Sequence, residues 1–571
     1  MDYKEYIVSK INFNNIVGRD DHGAPPVGTT LINSFLTECS EPKMGDYSLA
    51  CFKIASILKN SPVKIAESVK NSFVCDDIVS EVSAVNGYVN FKLNKENFIG
   101  KVINEILEKG EGYGKSGEGE GKTVVLDYSS INIAKPFHMG HLSTTVIGGA
   151  LYRIFNFLGY KTVGVNHLGD YGTQFGELIT AYKRWGSRAE IEKGKIKELM
   201  RLYVKYHEEA EKDKTLENEA REYFKKIENG DKECTELFNY FKEITLNEVD
   251  KIYKRLNIKF DSYAGESFYN DKMDIVIKKL EKTELLQDSD GAKIVDLSEY
   301  NMPPCLILKK DGASLYATRD IAAALYRYNT YKFYKCLYVV AYQQNLHFKQ
   351  FFKVIELMGE PFASGLEHIA YGMVSLEEGA MSTRKGIVVF LEDVLNKSAE
   401  KALEIINQKS PLLENKAETA EKIGAGAVIF SALYNSRIKD IVFSYDKVLN
   451  FDGETAPYVQ YSMARCYSVL AKGGKKGAFK VEKADETEFI LAKALHSFKQ
   501  TVRSAAEKYE PSFIARLAVE IAQAFNKFYF DCKILSEDEN VRNYRLSLTK
   551  ASLTVLKICF SLLGIDVIEK M

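Results

Sequence analysis

Apolar residues recur in distinct rhythms along the chain, and each rhythm predicts a different element. TVVLDYSS at 123–130 opens with a continuous apolar run, which predicts a buried strand. HLSTTVIGGALYRIFNFLG at 141–159 has helical spacing and ends on Gly159, which predicts a helix closed by glycine. KTVGVN at 161–166 predicts a second buried strand. Strand, helix and strand in close succession form a βαβ unit, which implies a parallel sheet with its ligand site at the carboxyl ends of the strands.

On either side the rhythm changes. Residues 1–108 mix helical and strand patterns, ending in an alternating strand at 85–93 (VNGYVNFKL) and an amphipathic helix at 96–109. GEGYGKSGEGEGK at 110–122 is glycine-rich, yet Lys109 stands where a phosphate loop needs its first glycine and the context runs helix to strand, so a flexible linker is expected. From about 183 to 260 the pattern is charged and helical, as in an exposed insertion. α/β patterning returns near 292 and lasts to about 395, and beyond 396 the pattern is helical, strongest at 458–470 and 548–565.

Composition narrows the picture. A chain of 571 residues predicts three or more domains. With 77 Lys+Arg against 78 Asp+Glu no overall positive field draws in nucleic acid, so any RNA surface must be a local patch. Nine scattered cysteines without a CxxC pair argue for reduced thiols and against structural zinc. The amino-terminal stretch lacks an apolar signal region and no run reaches the length of a membrane span, so a cytoplasmic protein is expected.

Two of the eight histidines stand three apart in IAKPFHMGHLSTT, at 133–145, just after Lys135 and Pro136. Positions i and i+3 share a helix face, and Pro136 presets the turn, so His138 and His141 point the same way beside free N–H groups at a positive helix end. That arrangement suits a phosphate, with Gly140 admitting close approach. A metal pair, with His167 and Asp170 in reserve, or ordinary helix-start histidines are the alternatives. A second signal, GAMSTRKGIVVFLEDVL at 379–395, is by itself a solvated basic turn carrying Arg384 and Lys385.

Taken together the two signals resemble the signatures of class I aminoacyl-tRNA synthetases. DYSSINIAKPFHMGH (127–141), NHLGDYGTQFG (166–176), SLYATRDIAAA (314–324), QQNLHFKQFF (343–352) and MSTRKG (381–386) are similar to arginyl-tRNA synthetases in particular. PKMGDYSLACFKIA (42–55) and ETAPYVQYSMAR (454–465) resemble that family's N-terminal RNA-contacting and helical anticodon-binding domains.

The resemblance implies a multidomain α/β protein with a Rossmann-type parallel-sheet core. The expected order is an N-terminal α+β domain over 1–110 and a linker over 111–121. The catalytic domain would follow over 122–395 with a helical insertion near 183–265, then a helical connector over 396–445 and an all-α anticodon bundle over 446–571. It implies a ligase that activates L-arginine with ATP and Mg²⁺ and charges tRNA, as a monomer. By resemblance His138, Gly140, His141, Met381 and Ser382 bind ATP, and Lys135, Ser382, Arg384 and Lys385 act with the histidines in catalysis. Asp127, Asn132, His138, Tyr316, Asp320 and Gln344 hold arginine. A guanidinium offers five donors in a rigid fork, so Asp127 and Asp320 are the expected acceptors, with Tyr316 four residues before Asp320 on one helix face. Without the resemblance, Asp320 reads as an Arg319 ion pair or a helix cap. Tyr458, Tyr461, Arg465 and Tyr467 combine rings and a cation that suit anticodon bases, unless they are bundle core.

Four positions depart from the family pattern: Ile131 for proline, Ser143 for arginine, Tyr171 for tryptophan, and Ala380 for the lysine before Met-Ser, which leaves Lys135 to supply charge. The rival classes are a class I synthetase for another amino acid and a non-catalytic tRNA-binding paralogue.

Overall fold

The computed structural model describes residues 2–11, 29–39, 41, 43–135, 137–310, 316–376, 389–474 and 477–571. It divides into two compact units, Met1–Lys109 with Gly473–His496 and Lys527–Ala551, and Gly110–Lys472 with Ser497–Asn526 and Ser552–Met571. The C-terminal helices Glu486–Glu507, Ser512–Asp531 and Glu539–Leu563 therefore contribute to both units, whereas the sequence reading gives 446–571 to one segment.

The first unit carries a four-stranded antiparallel sheet in the order Leu36–Glu38, Tyr47–Ala50, Tyr88–Leu93, Val79–Val85. The expected single strand over 85–93 is instead the end of one strand, a turn and the next strand. Asn86 and Gly87 have φ of 49° and 84°, as the central residues of a tight hairpin require. In the same unit the carboxylate of Glu488 is fully buried and bound by Arg545 at 2.7 Å and Tyr544 at 2.5 Å.

The second unit holds the parallel sheet. Its strands are β1 (Thr123–Asp127), β2 (Lys161–Val165), β3 (Lys335–Tyr338) and β4 (Leu366–His368), in the order β4-β3-β1-β2. The three longest are apolar because both faces are covered. The helix Leu142–Phe157 crosses from β1 to β2, and a Cβ on its Gly148 would lie 2.3 Å from Tyr128, so only glycine lets it sit this close to the segment after β1. The chain then returns to the other side of β1 to form β3. The strand order reverses there, which opens a crevice at the carboxyl ends of β1 and β3, where Asp127 lies opposite Tyr338.

The charged insertion is a set of three helices, Arg188–Lys212, Thr215–Glu228 and Lys232–Arg255, as the sequence pattern predicts. The glycine-rich 110–122 segment is not a loose linker. Gly110, Gly114 and Gly121 have φ of 51°, 88° and 75° and fold it into turns, and its Tyr113 is fully buried, stacked on Phe498 with ring centroids 6.0 Å apart. Among the described residues one helix, Glu539–Leu563, is long and apolar enough by length and composition to cross a membrane, which the sequence reading missed; 83% of its apolar window is buried inside the structure, as in a core helix.

Candidate active site

The segment leaving β1 runs through a strained path. Ser129, Ser130 and Ala134 have φ of 70°, 47° and 62°, and non-glycine residues in this region cost about 1 kcal/mol or more each unless their surroundings hold them. The surroundings do. Ser129 donates its N–H to Thr144 Oγ1 at 3.0 Å, and the Thr144 hydroxyl donates to the Val339 carbonyl at 2.7 Å. Ala134 donates its N–H to Thr245 Oγ1 at 3.1 Å. Gly169 donates its N–H to the Ile131 carbonyl and accepts from Ile133, which fixes Asn132 beside it; a Cβ on Gly169 would lie 2.1 Å from Asn132 Oδ1.

The path ends on the histidine pair, which lies in a 3-10 turn, Met139–His141, leading into the helix Leu142–Phe157. The rings lie against each other, with centroids 4.0 Å apart and planes tilted by 38°. The backbone donors expected for a phosphate are already used. His138 N–H donates to His141 Nδ1 at 3.3 Å and Gly140 N–H to His138 Nδ1 at 3.0 Å. Met139 N–H reaches the Val389 carbonyl and His141 N–H the His138 carbonyl. Since both Nδ1 atoms accept, each neutral ring carries its proton on Nε2. The donors this turn offers are therefore two imidazole N–H groups rather than amides. Burial, then Lys135, pushes His138 down to about 4, and burial, then the His138 ring and Lys135, pushes His141 down to about 3. Both rings are neutral at pH 7. Gly140 makes room for the ring, since a Cβ there would meet His138 Cε1 at 2.8 Å.

Pro136, Ala380, Met381, Ser382, Arg384 and Lys385 lie outside the described residues. The chain on either side of 377–388 is placed. Val374–Leu376 pairs in parallel with Ile441–Phe443, and Phe390 forms an antiparallel bridge with His138, with Leu391 donating to the Phe137 carbonyl. The two sequence signatures thus meet at a backbone contact.

Carboxylates gather at the crevice, and most come with a cation. Asp127 Oδ2 is bound by Arg327 at 2.8 Å and its Oδ1 accepts from Ser130 at 2.8 Å. Asp170 is bound by Lys242 at 2.6 Å and by the Ser267 hydroxyl and N–H. Glu266 pairs with Arg319 at 2.8 Å. Burial pushes Glu266 up to about 7; Arg319 opposes this, and Asp320 and Asp170 add to it. Among the described residues Asp320 has neither lysine nor arginine: its Oδ2 accepts from His347 Nε2 at 2.6 Å. The Arg319 pair expected of an isolated Asp320 does not form, because Arg319 turns to Glu266 and lies 4.4 Å over the Tyr171 ring. The Tyr171 departure therefore still supplies a ring beneath the guanidinium.

Of the other expected arginine contacts, Asn132 is half-buried, Gln344 is exposed at the start of the helix Asn345–Leu357, and Tyr316 is 68% exposed at the first position of the helix Tyr316–Tyr331. Asp127 does not stand as the equal of Asp320, since its charge is already matched. The sequence reading missed Arg327, Lys242, Glu266 and His347. Arg327 lies seven residues after Asp320 on one helix and His347 three after Gln344, so two of the four carried a spacing signal. Among the described residues no group of three or more His, Cys, Asp or Glu is placed to hold a metal ion, and Asp170, the reserve ligand beside His167, is bound by Lys242.

In the helix Ala456–Gly473 the buried face is Val459, Gln460, Ser462, Met463, Cys466 and Val469. Tyr461 is exposed with the Arg465 guanidinium 4.8 Å over its ring, and Arg465 Nη1 donates to Asn526 at 2.6 Å. Tyr458 and Tyr467 are half-buried, intermediate between a stacking surface and a core.

Comparison with known proteins gives the same order of parts. Residues 102–445 match the class I tRNA synthetase (R) catalytic domain, 459–571 the DALR anticodon-binding domain and 16–93 the arginyl-tRNA synthetase N-terminal domain. The arginine–tRNA ligase of Halothermothrix orenii is 54% identical over 538 residues, covering 93% of this chain and 94% of that protein. That of Clostridium botulinum strain Langeland is 49% identical over the whole of both chains. Among solved structures, Thermus thermophilus arginyl-tRNA synthetase matches with a TM-score of 0.81 at 25% identity, covering 94% of this chain and 96% of that one. The Plasmodium falciparum enzyme matches with a TM-score of 0.78 at 25% identity, covering 94% of each chain. A crevice in which Asp320, among the described residues, meets an imidazole rather than a lysine or arginine, beside two neutral imidazole donors, thus sits on a chain that belongs to the arginyl-tRNA synthetase family.

Proposed function

We propose that this arginine–tRNA ligase recognises its amino acid chiefly through Asp320 and carries out adenylation with His138 and His141 as neutral N–H donors. The carrying observation is the balance of charge in the crevice. Asp127, Asp170 and Glu266 each have a permanent cation within 2.8 Å, and Asp320 shares only an imidazole. A cationic substrate side chain completes that balance. Asp127 keeps free lone pairs and orients the guanidinium from a site already neutral, with Tyr316, Asn132 and Gln344 closing around the amino acid.

In the first step an oxygen of the arginine carboxylate attacks the α-phosphorus of ATP, the bond to the bridging oxygen breaks, and pyrophosphate leaves. In the second, a hydroxyl of the terminal tRNA ribose attacks the arginyl carbonyl and AMP leaves. Little covalent work falls to the protein, so position and charge lower the barrier. The two Nε2–H groups hold phosphate or ribose oxygens without adding charge. Positive charge then comes from Lys135, whose field reaches both imidazoles, and from Arg384 and Lys385, while Met381 and Ser382 of the same basic segment contact ATP. Mg²⁺ enters on the ATP phosphates as part of the substrate.

Lysine is rejected because one ammonium cannot satisfy a planar acceptor set, a kind of mismatch that discriminates by about 10⁴ or more. Residues 446–571, with Tyr458, Tyr461 and Arg465, read the anticodon, and 1–110 contacts tRNA elsewhere. The enzyme works as a monomer in the cytoplasm, a placement supported by nine unpaired cysteines. Charging of total tRNA with labelled arginine, and its absence with labelled lysine, tests the reading.

A further inference from the structure

We propose that His347 is the positioning residue for arginine recognition: it holds one oxygen of Asp320 so that the other faces the incoming guanidinium. The inference rests on the reading of Asp320 as the guanidinium acceptor. His347 Nε2 lies 2.6 Å from Asp320 Oδ2, and the two side chains are 26% and 27% exposed, at the wall of the crevice rather than in its floor. A carboxylate can only accept, so the imidazole donates.

The bond joins the helices that precede and follow β3 in the chain, Tyr316–Tyr331 and Asn345–Leu357. The imidazole is itself held in place. Its ring meets Phe348 edge-on at 5.5 Å and Phe351 at 5.6 Å, and Phe351 is fully buried. Each neighbouring carboxylate is fixed by a lysine or arginine, which also cancels its charge. The same partner at Asp320 would remove the attraction the substrate needs. An imidazole, unlike an ammonium or guanidinium, has no permanent charge and can still donate a hydrogen bond, so it suits the task of orienting Asp320 without cancelling its charge.

Arginine titrations of aminoacylation at saturating ATP and tRNA test this with His347→Gln, His347→Asn, His347→Leu and Asp320→Asn. The glutamine amide reaches the place of Nε2, and the asparagine amide stops at that of Nδ1. The expected result is a KM for arginine raised about tenfold or more in the Asn and Leu variants, as loss of a charge-assisted hydrogen bond implies. The Gln variant stays within about threefold of the parent, and the KM for ATP within about twofold throughout. In the Asp320→Asn background, His347→Leu adds less than about twofold, since its partner is gone. A parental KM for arginine in the Asn and Leu variants, with Asp320→Asn impaired, overturns the role of His347 and leaves Asp320 standing. Equal losses in Gln, Asn and Leu overturn it too, as packing alone would then explain them. A parental KM in Asp320→Asn defeats the underlying reading instead. Should the Leu variant fail to fold, the contrast between Gln and Asn decides.

Discussion

Arg327 Nη2 lies 2.8 Å from Asp127 Oδ2, with the two side chains 1% and 7% exposed, so the protein's own arginine holds a carboxylate at the edge of the crevice proposed for substrate arginine. Neither charge can be removed alone without leaving the other stranded in a poorly solvated place.

Arg327→Met should therefore destabilise the fold by about 3–5 kcal/mol, and adding Asp127→Asn should recover a large part of that loss. Urea unfolding followed by the fluorescence of Trp185, the single tryptophan, measures both. An unchanged midpoint in Arg327→Met would mean that the pair is not held as described.

Asp320→Asn should raise the KM for arginine by about 100-fold or more while leaving the KM for ATP within about twofold, because it removes the carboxylate proposed to meet the substrate guanidinium. Equal losses for both substrates would count against the pocket assignment.

The histidine pair makes a prediction about pH. Burial holds His138 at about 4 and His141 at about 3, below the ordinary imidazole value, so both stay neutral as pH falls from 8 to 5. In the unfolded chain the same rings take up protons from about pH 6.5 downward, so the unfolded state binds more protons and stability falls with pH between about 6.5 and 4. For His138 alone the loss from pH 7 to 5 is about 2 kcal/mol. Selective ¹⁵N-histidine spectra should show the Nε2–H tautomer of both rings down to pH 5. Titration of either ring near 6.5 would contradict this.

Lys135→Ala should lower the single-turnover adenylation rate by about tenfold or more, roughly 1.4 kcal/mol, with little change in arginine affinity, since neutral histidines leave the developing charge to cations. A rate within about twofold of the parent would reject Lys135 as the compensating charge.

How much of this was legible in the residues depends on whether the signal is local. The βαβ pattern placed β1, the helix Leu142–Phe157 and β2 nearly to the residue, since burial on both faces of a strand leaves a continuous apolar run. Asn86-Gly87 carried a hairpin signal that the alternation on either side of it masked. The 110–122 segment looked loose because glycine composition says nothing of Tyr113, whose burial depends on Phe498, almost four hundred positions away. The chemistry of Asp320 was visible only through resemblance, and its restraint by His347 required two helices to be set side by side. The partners Arg327 and Lys242 gave Asp127 and Asp170 a character that no short window contains.

The turn at His138 and His141 has a bearing on how variants of this enzyme would be sorted. Each imidazole accepts a backbone N–H with one nitrogen and, in the proposed mechanism, keeps the other for the reaction, so a substitution would strike folding and turnover at once. A library scored only for soluble expression would class both positions as structural, and one scored only for growth would class them as catalytic. Asparagine at 138, a good cap in its own right, is the informative exception, since it can keep the turn while withdrawing the far nitrogen from its reach. Few routes of drift are open to a residue whose two atoms answer to two different selections.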